Sequence, residues 1–191
     1  MRKIAFVFVA VIFFSVPGFS QVPSGNVFFG YSYMSADFSS NRSNLNGWNA
    51  SVEGKVLPLL GLVADFSGHY GSADVGTVIA CPGIGVLPPC QPLTPSVSVA
   101  EHNFLFGPRL SISVRKFRPF VHALIGAGHF SQSTSGFSSS DTCFAYALGG
   151  GLDYHIAPLI SWRIQGDALQ TRFFSSTQNN VRISTGIVVH F

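Results

Sequence analysis

The sequence predicts an all-β protein: an eight-stranded antiparallel up-and-down transmembrane β-barrel, preceded by a cleaved signal peptide. Three observations carry this expectation. The chain ends in an alternating strand whose last residue is aromatic. It opens on a short basic segment followed by an apolar run. Between these ends lie eight alternating segments, separated in turn by long and short connections.

The last strand comes first in the argument. Counting back in twos from Phe191 gives Val189, Ile187, Thr185, Ile183 and Val181, while His190, Val188, Gly186, Ser184 and Arg182 take the other face. Strand side chains alternate, so one face is apolar and the other mostly small or polar. Chain ends usually fray. A strand patterned to its last residue needs a partner, and in a membrane barrel it closes against the first strand and leaves no edge.

At the other end, Arg2 and Lys3 precede the apolar run Ile4–Val16. Pro17 breaks the run, and Gly18 and Ser20 place small residues before Gln21. Residues 1–20 read as a secretory signal peptide and 21–191 as one barrel domain. The run is shorter than the ~20 residues of a spanning helix. No cysteine follows it, so lipoprotein processing is not expected.

Composition agrees. Charged residues are 10 % of the chain and hydrophobic ones 47 %, with 19 Phe. A soluble domain of this size carries about 25 % charge, so this outer surface is suited to lipid. The formal charge of +3 falls by two when Arg2 and Lys3 leave with the leader. No Lys/Arg cluster is present to hold phosphates, which argues against nucleic acid as a partner.

Each segment follows the same alternation. Residues 26–35 set Val27, Phe29, Tyr31 and Tyr33 on one face. Residues 45–56 set Trp48, Ala50, Val52 and Val56 against Asn49, Ser51, Glu53 and Lys55. Residues 60–70 set Leu60, Leu62, Ala64, Phe66 and Tyr70 against Gly61, Asp65, Ser67 and His69. In 99–114, Phe104, Phe106, Leu110 and Ile112 oppose Asn103, Arg109, Ser111 and Ser113. In 119–130 the pattern is weaker, with Val121, Ala123, Ile125 and Ala127 opposite His122, Leu124, Gly126 and Gly128. Residues 142–156 and 160–173 resume it, with Asp153 on the polar face of one and Arg163, Gln165 and Asp167 on that of the other. Long connections are expected at 36–44, 71–98, 131–141 and 174–179, and short ones at 57–59, 115–118 and 157–159. Short periplasmic turns against long external loops are the habit of outer-membrane barrels. A soluble lipocalin-like barrel, the structural rival, would reverse the faces: polar outside, apolar inside.

The polar faces carry the candidate functional residues. Glu53, Asp65, Asp153 and Asp167 supply four negative charges, and Lys55, Arg109, Arg163 and Arg182 four positive ones. An eight-stranded barrel is just wide enough for side chains to fill it. Charges there need partners, so an ion-paired interior is expected, and such pairs also block the lumen. Trp48, Trp162, Tyr31, Tyr33, Tyr70, Tyr154 and Phe191 suit interfacial girdles. Six His invite an enzyme reading, and Asp65, Ser67 and His69 share a face. Yet no nucleophile elbow and no HExxH occurs, and any polar strand face gives that spacing. No catalytic, cofactor or metal site is expected.

Cys81 and Cys90 bracket the segment CPGIGVLPPC in the long connection 71–98. Export makes a local disulfide the favoured reading. No His or acid lies near at ligand spacing. Cys143 is the odd cysteine, and other pairings stay open.

The segments LNGWNASVEGKV, LGLVADFSGHYG, FLFGPRLS, RPFVHALIGAG, ALGGGLDY, SWRIQGDALQTRF and NNVRISTGIVVHF, with the leader, cover most of the chain. Together they resemble the OmpA-like, porin-like outer-membrane β-barrel proteins. The resemblance implies residence in the cell outer membrane as a monomer. It also implies contact with outer-membrane lipids and lipopolysaccharide, and a terminal Phe191 of the kind read by the barrel-assembly machinery. The implied role is structural or surface-interacting, with an extracellular ligand taken by the loops. A narrow pore for small solutes is the alternative, and a lipid-modifying hydrolase a more distant one.

Overall fold

The computed structural model describes residues 24–38, 41–74, 78–80, 91–93, 96–134, 137–173 and 176–191. The leader assigned to 1–20 and the pair Cys81 and Cys90 lie outside the described residues.

Eight long strands build the wall: β1 (Gly25–Phe38), β2 (Asn41–Lys55), β3 (Leu60–Asp74), β6 (Ser96–Ser111), β7 (Phe117–Thr134), β8 (Phe137–Ala157), β9 (Ile160–Phe173) and β10 (Ser176–His190). Two short strands, β4 (Val78–Ala80) and β5 (Gln91–Leu93), form a separate ribbon between β3 and β6. Neighbours in the wall are antiparallel, and β1 pairs with β10 from Asn26↔His190 to Ser35↔Val181, so the barrel closes. Closure reaches the last residue. Gly25 N–H donates to Phe191 O at 2.9 Å, and Phe191 N–H donates to Gly25 O at 3.0 Å. Every wall strand thereby has two neighbours, which removes the edge that lipid could not solvate.

Two of the short connections fall where the sequence places them, and the third, 112–116, comes earlier than the expected 115–118 because Phe117 and Arg118 already belong to β7. Residues 56–59 join β2 to β3, Pro158 and Leu159 join β8 to β9, and Arg115–Lys116 turn between β6 and β7. Arg115 closes that turn at φ 55°, in the left-handed region that glycine or asparagine occupies more readily.

The long connections are a different matter. Segments expected as loops at 36–44, 131–141 and 174–179 are strand throughout their described residues, and 71–74 and 96–98 also belong to the wall. The strands run 14 to 21 residues, where about 9–11 suffice to cross a bilayer. The excess lies at the loop end. Polar residues such as Ser131, Ser133, Ser138 and Ser140 looked like loop because they carry no apolar alternation. Their backbone still pairs, as in Ser131↔Ser140 and Ser133↔Ser138.

The outer face records the change along each strand. On β7 the outward residues from the turn end are Val121, Ala123, Ile125, Ala127, then His129 and Ser133. On β6 they are Leu110, Phe106, Phe104, then His102 and Ser98. On β8 they are Ile156, Leu148, Tyr146, Phe144, then Thr142, Ser140 and Ser138; all of these are exposed. An apolar belt thus surrounds the turn-side part of the barrel and gives way to a polar collar. Among the girdle candidates, Tyr31, Trp48, Tyr70, Trp162 and Phe191 are exposed, while Tyr33 and Tyr154 are half-buried.

Candidate functional site

The inward faces meet in the lumen, and the turn-side half of that lumen is charged. Glu53 lies near the turn end of β2. Its Oε2 takes Arg109 Nη1 at 3.1 Å and Asn26 Nδ2 at 2.8 Å, and its Oε1 takes Arg118 Nη2 at 2.6 Å. Arg118 also donates to Ser111 Oγ at 2.8 Å. Asp153 and Arg163 face each other across β8 and β9. Arg163 Nε and Nη2 reach the two carboxylate oxygens at 2.6 and 2.8 Å, a bidentate fork. Arg182 joins two acids. Its Nη1 donates to Asp65 Oδ1 and its Nε to Asp167 Oδ2, each at 2.8 Å.

His122 links these groups into one chain. Arg109 Nη2 lies 3.3 Å from His122 Nδ1, and His122 Nε2 lies 2.7 Å from Asp167 Oδ1. A guanidinium only donates, so Nδ1 accepts and the imidazole proton sits on Nε2, donated to Asp167. Asn49 donates to Asp65 and accepts from Gln165, bracing the far end. Phe120 supports the cations, with Arg109 at 4.3 Å and Arg163 at 4.7 Å from the ring centre.

Backbone space makes the arrangement feasible. A Cβ on Gly149 would stand 2.0 Å from Asp167 Oδ1, and one on Gly61 would stand 2.7 Å from Glu53 Oε1. Both glycines admit a carboxylate against the wall. The charged side chains of all these ion pairs are sealed from water, at 4 % exposure or less. Pairing offsets the desolvation of these charges rather than adding large net stability, but it makes loss of any one partner costly.

Of the eight charges singled out in the sequence, seven come together: Glu53, Asp65, Arg109, Asp153, Arg163, Asp167 and Arg182. Lys55 does not join them. It is the last residue of β2, half-exposed at the rim, where water can hydrate its ammonium. Arg118 occupies the corresponding role inside. It looked like part of the turn 115–118, but β7 begins at Phe117, so Arg118 shares the inward parity of Phe120 and His122. That parity was the available signal. Glu101 was also overlooked, although it shares a face with Asn103 and Arg109; it is fully buried and takes Asn103 Nδ2 at 3.0 Å.

The loop-side half of the lumen is mainly apolar, although the buried Glu101 stands opposite Phe130 within it. Met34, Leu45, Val99, Phe130, Ala145 and Leu169 pack there as one buried cluster, joined by Leu105 and Leu124 from the middle. Half-buried Cys143 packs against it. At the opposite rim Ser161 Oγ lies 2.8 Å from both His155 Nδ1 and His190 Nε2. Neither imidazole is hydrogen-bonded to a carboxylate among the described residues.

A closed, apolar-walled barrel with a polar lumen is the form in which β-strands cross a membrane. The sequence model of the outer membrane protein beta-barrel domain matches residues 6–191, and the chain belongs to that family. It is a transmembrane protein of the outer membrane. No curated protein sequence matches it. Solved structures of similar fold include Neisserial surface protein A, with 12 % identity and a TM-score of 0.67 over 87 % of this chain and 97 % of that one. The attachment invasion locus protein Ail of Yersinia pestis aligns at 16 % identity and a TM-score of 0.57, covering 87 % of this chain and 98 % of its own; that protein is also known in complex with the heparin analogue sucrose octasulfate. The N-terminal β-barrel domain of Pseudomonas aeruginosa OprF aligns at 13 % identity and a TM-score of 0.53, over 90 % and 98 % of the two chains.

Proposed function

We propose that the protein is a non-catalytic, non-conducting envelope barrel whose interactions are carried by its loop-side end, exposed at the cell surface. The observation that carries this reading is the continuous chain Asp153–Arg163–Asn26–Glu53–Arg109–His122–Asp167–Arg182–Asp65 across the lumen. An ion moving through would have to break buried charge pairs, each break leaving a desolvated charge. The apolar cluster above adds a second closure. The strands extend beyond the belt, so the loop-side end of the wall stands clear of the bilayer, where a soluble or surface-bound ligand can reach it. Ail, of similar fold, is known with a sulfated sugar, which fits a surface role for such barrels.

Export by the leader 1–20 and assembly through the terminal Phe191 complete the reading, with a monomer as the working unit. Planar-bilayer recording of the refolded protein tests it. No steady single-channel opening is expected. Stepwise conductance that persists when Arg182 and its acids are intact would overturn the closed lumen and favour the narrow pore.

A further inference from the structure

On the outer wall, where the apolar belt meets the polar collar, His102 of β6 stands directly opposite His129 of β7. Both are exposed. Each imidazole uses one nitrogen on a neighbouring hydroxyl: Tyr70 Oη lies 3.0 Å from His102 Nε2, and Thr142 Oγ1 lies 2.8 Å from His129 Nδ1. With those hydroxyls donating, the ring protons sit on His102 Nδ1 and His129 Nε2 and remain available to an acceptor. Below the pair, toward the belt, lies an apolar groove of about 310 Å³. Trp48, Phe66, Phe104 and Ala127 line it together with His102 and His129. The Phe66 and Phe104 rings meet edge to face at 4.7 Å, which holds one wall in place.

The groove is continuous with the surface that meets lipid, so its occupant is a lipid. The level of the histidines identifies the part of it they meet. Above them the outward residues include Ser98, Ser133 and Ser140; Thr142 stands beside His129, and Phe104, Ala127 and Phe144 lie below. The imidazoles therefore stand at headgroup depth and the groove at acyl depth. The nearby outward positions on β3, β6, β7 and β8 hold Tyr, Ser, Ala, His, Thr and Phe and no carboxylate among the described residues, so nothing there repels an anion. We propose that this site binds the phosphorylated glycolipid of the outer leaflet, with an acyl chain in the groove and a sugar phosphate on His102 and His129. The site rests on the loop-side end facing outward, and it stands whether or not the lumen conducts.

The test is native mass spectrometry of the detergent-extracted protein after exchange with bis-phosphorylated lipid A, the same lipid dephosphorylated, or phosphatidylethanolamine. Loss of two hydrogen bonds to a charged group predicts retention of the phosphorylated lipid at least about a hundredfold weaker in His102→Gln/His129→Gln than in the wild type. Ala127→Phe, which fills the groove, should weaken retention of both glycolipids. In the wild type, imidazole ¹⁵N shifts of His102 and His129 should move with the phosphorylated lipid and stay put with the dephosphorylated one; this arm needs no variant to fold. Equal retention of all three lipids by the wild type, or an undiminished phosphate preference in the double variant, would overturn the proposal. Channel recordings would not move with any of these outcomes.

Discussion

The turn-side and loop-side halves of this barrel have opposite cross-sections. Around the ion pairs, Phe106, Leu148 and Ile164 face out, while Glu53, Arg109 and Asp167 face in. Near the loops, Ser98, Ser133 and Ser140 face out, while Val99 and Phe130 face in. The same backbone ladder runs through both. What changes is the solvent. Lipid favours an apolar outer wall, and polar groups then collect in the lumen. Water favours a polar outer wall, and the lumen there holds a largely apolar core in which Glu101 is buried opposite Phe130. The loop-side half thus follows the pattern of a soluble barrel, the rival weighed for the whole chain, on strands continuous with the membrane-spanning ones. Each half closes the lumen by its own means, charge pairing below and close packing above.

The sharpest way to break this contrast is to remove one charge from the turn-side half. Glu53→Ala leaves Arg109 and Arg118 without their acid and should cost roughly 3–5 kcal/mol. Urea titration in phospholipid vesicles, read by the fluorescence of Trp48 and Trp162, measures it. A loss below about 1 kcal/mol would mean that water enters and that the half is not sealed.

In the loop-side half the equivalent injury is a cavity. Phe130→Ala should cost about 3–4 kcal/mol by the same titration, whereas Phe130→Leu should cost less, because it keeps most of the packing. If both were neutral, the collar would not act as a packed core.

A matched pair of outward substitutions sharpens the boundary. Leu148→Arg, inside the belt, should destabilise by roughly 2–4 kcal/mol at mid-membrane depth. Ser98→Arg, on the collar, should stay within about 0.5 kcal/mol of the parent. Equal costs would erase the distinction between the two halves.

A smaller effect concerns the β4–β5 ribbon. In the sequence, Cys81 and Cys90 bracket the segment between its two strands. A disulfide there should stabilise the closed segment by roughly 2–3 kcal/mol relative to the open chain, with less felt by the barrel as a whole. Mass spectrometry of non-reduced protein from envelopes should find this bond. Alkylatable thiols at both positions would rule it out.

The sequence alone determined which way each side chain points in the belt, because strand parity is local: Trp48 and Glu53 are on opposite faces whatever their neighbours do. Strand parity and scarce charge together implied a membrane barrel with an ionic lumen. Strand length was less legible. Segments such as 131–141 pair through their backbone, and serine side chains carry no signal of that. Only the tertiary structure decided who meets whom. Arg182 on β10 reaches Asp167 on the adjacent β9 and Asp65 on β3 across the lumen, and that depends on how far each strand is staggered against the next. Stagger is set by closing the whole wall at once. The same holds for the apolar cluster: Leu45, Phe130 and Leu169 come from three strands far apart in sequence, and only the closed circumference brings them to one level.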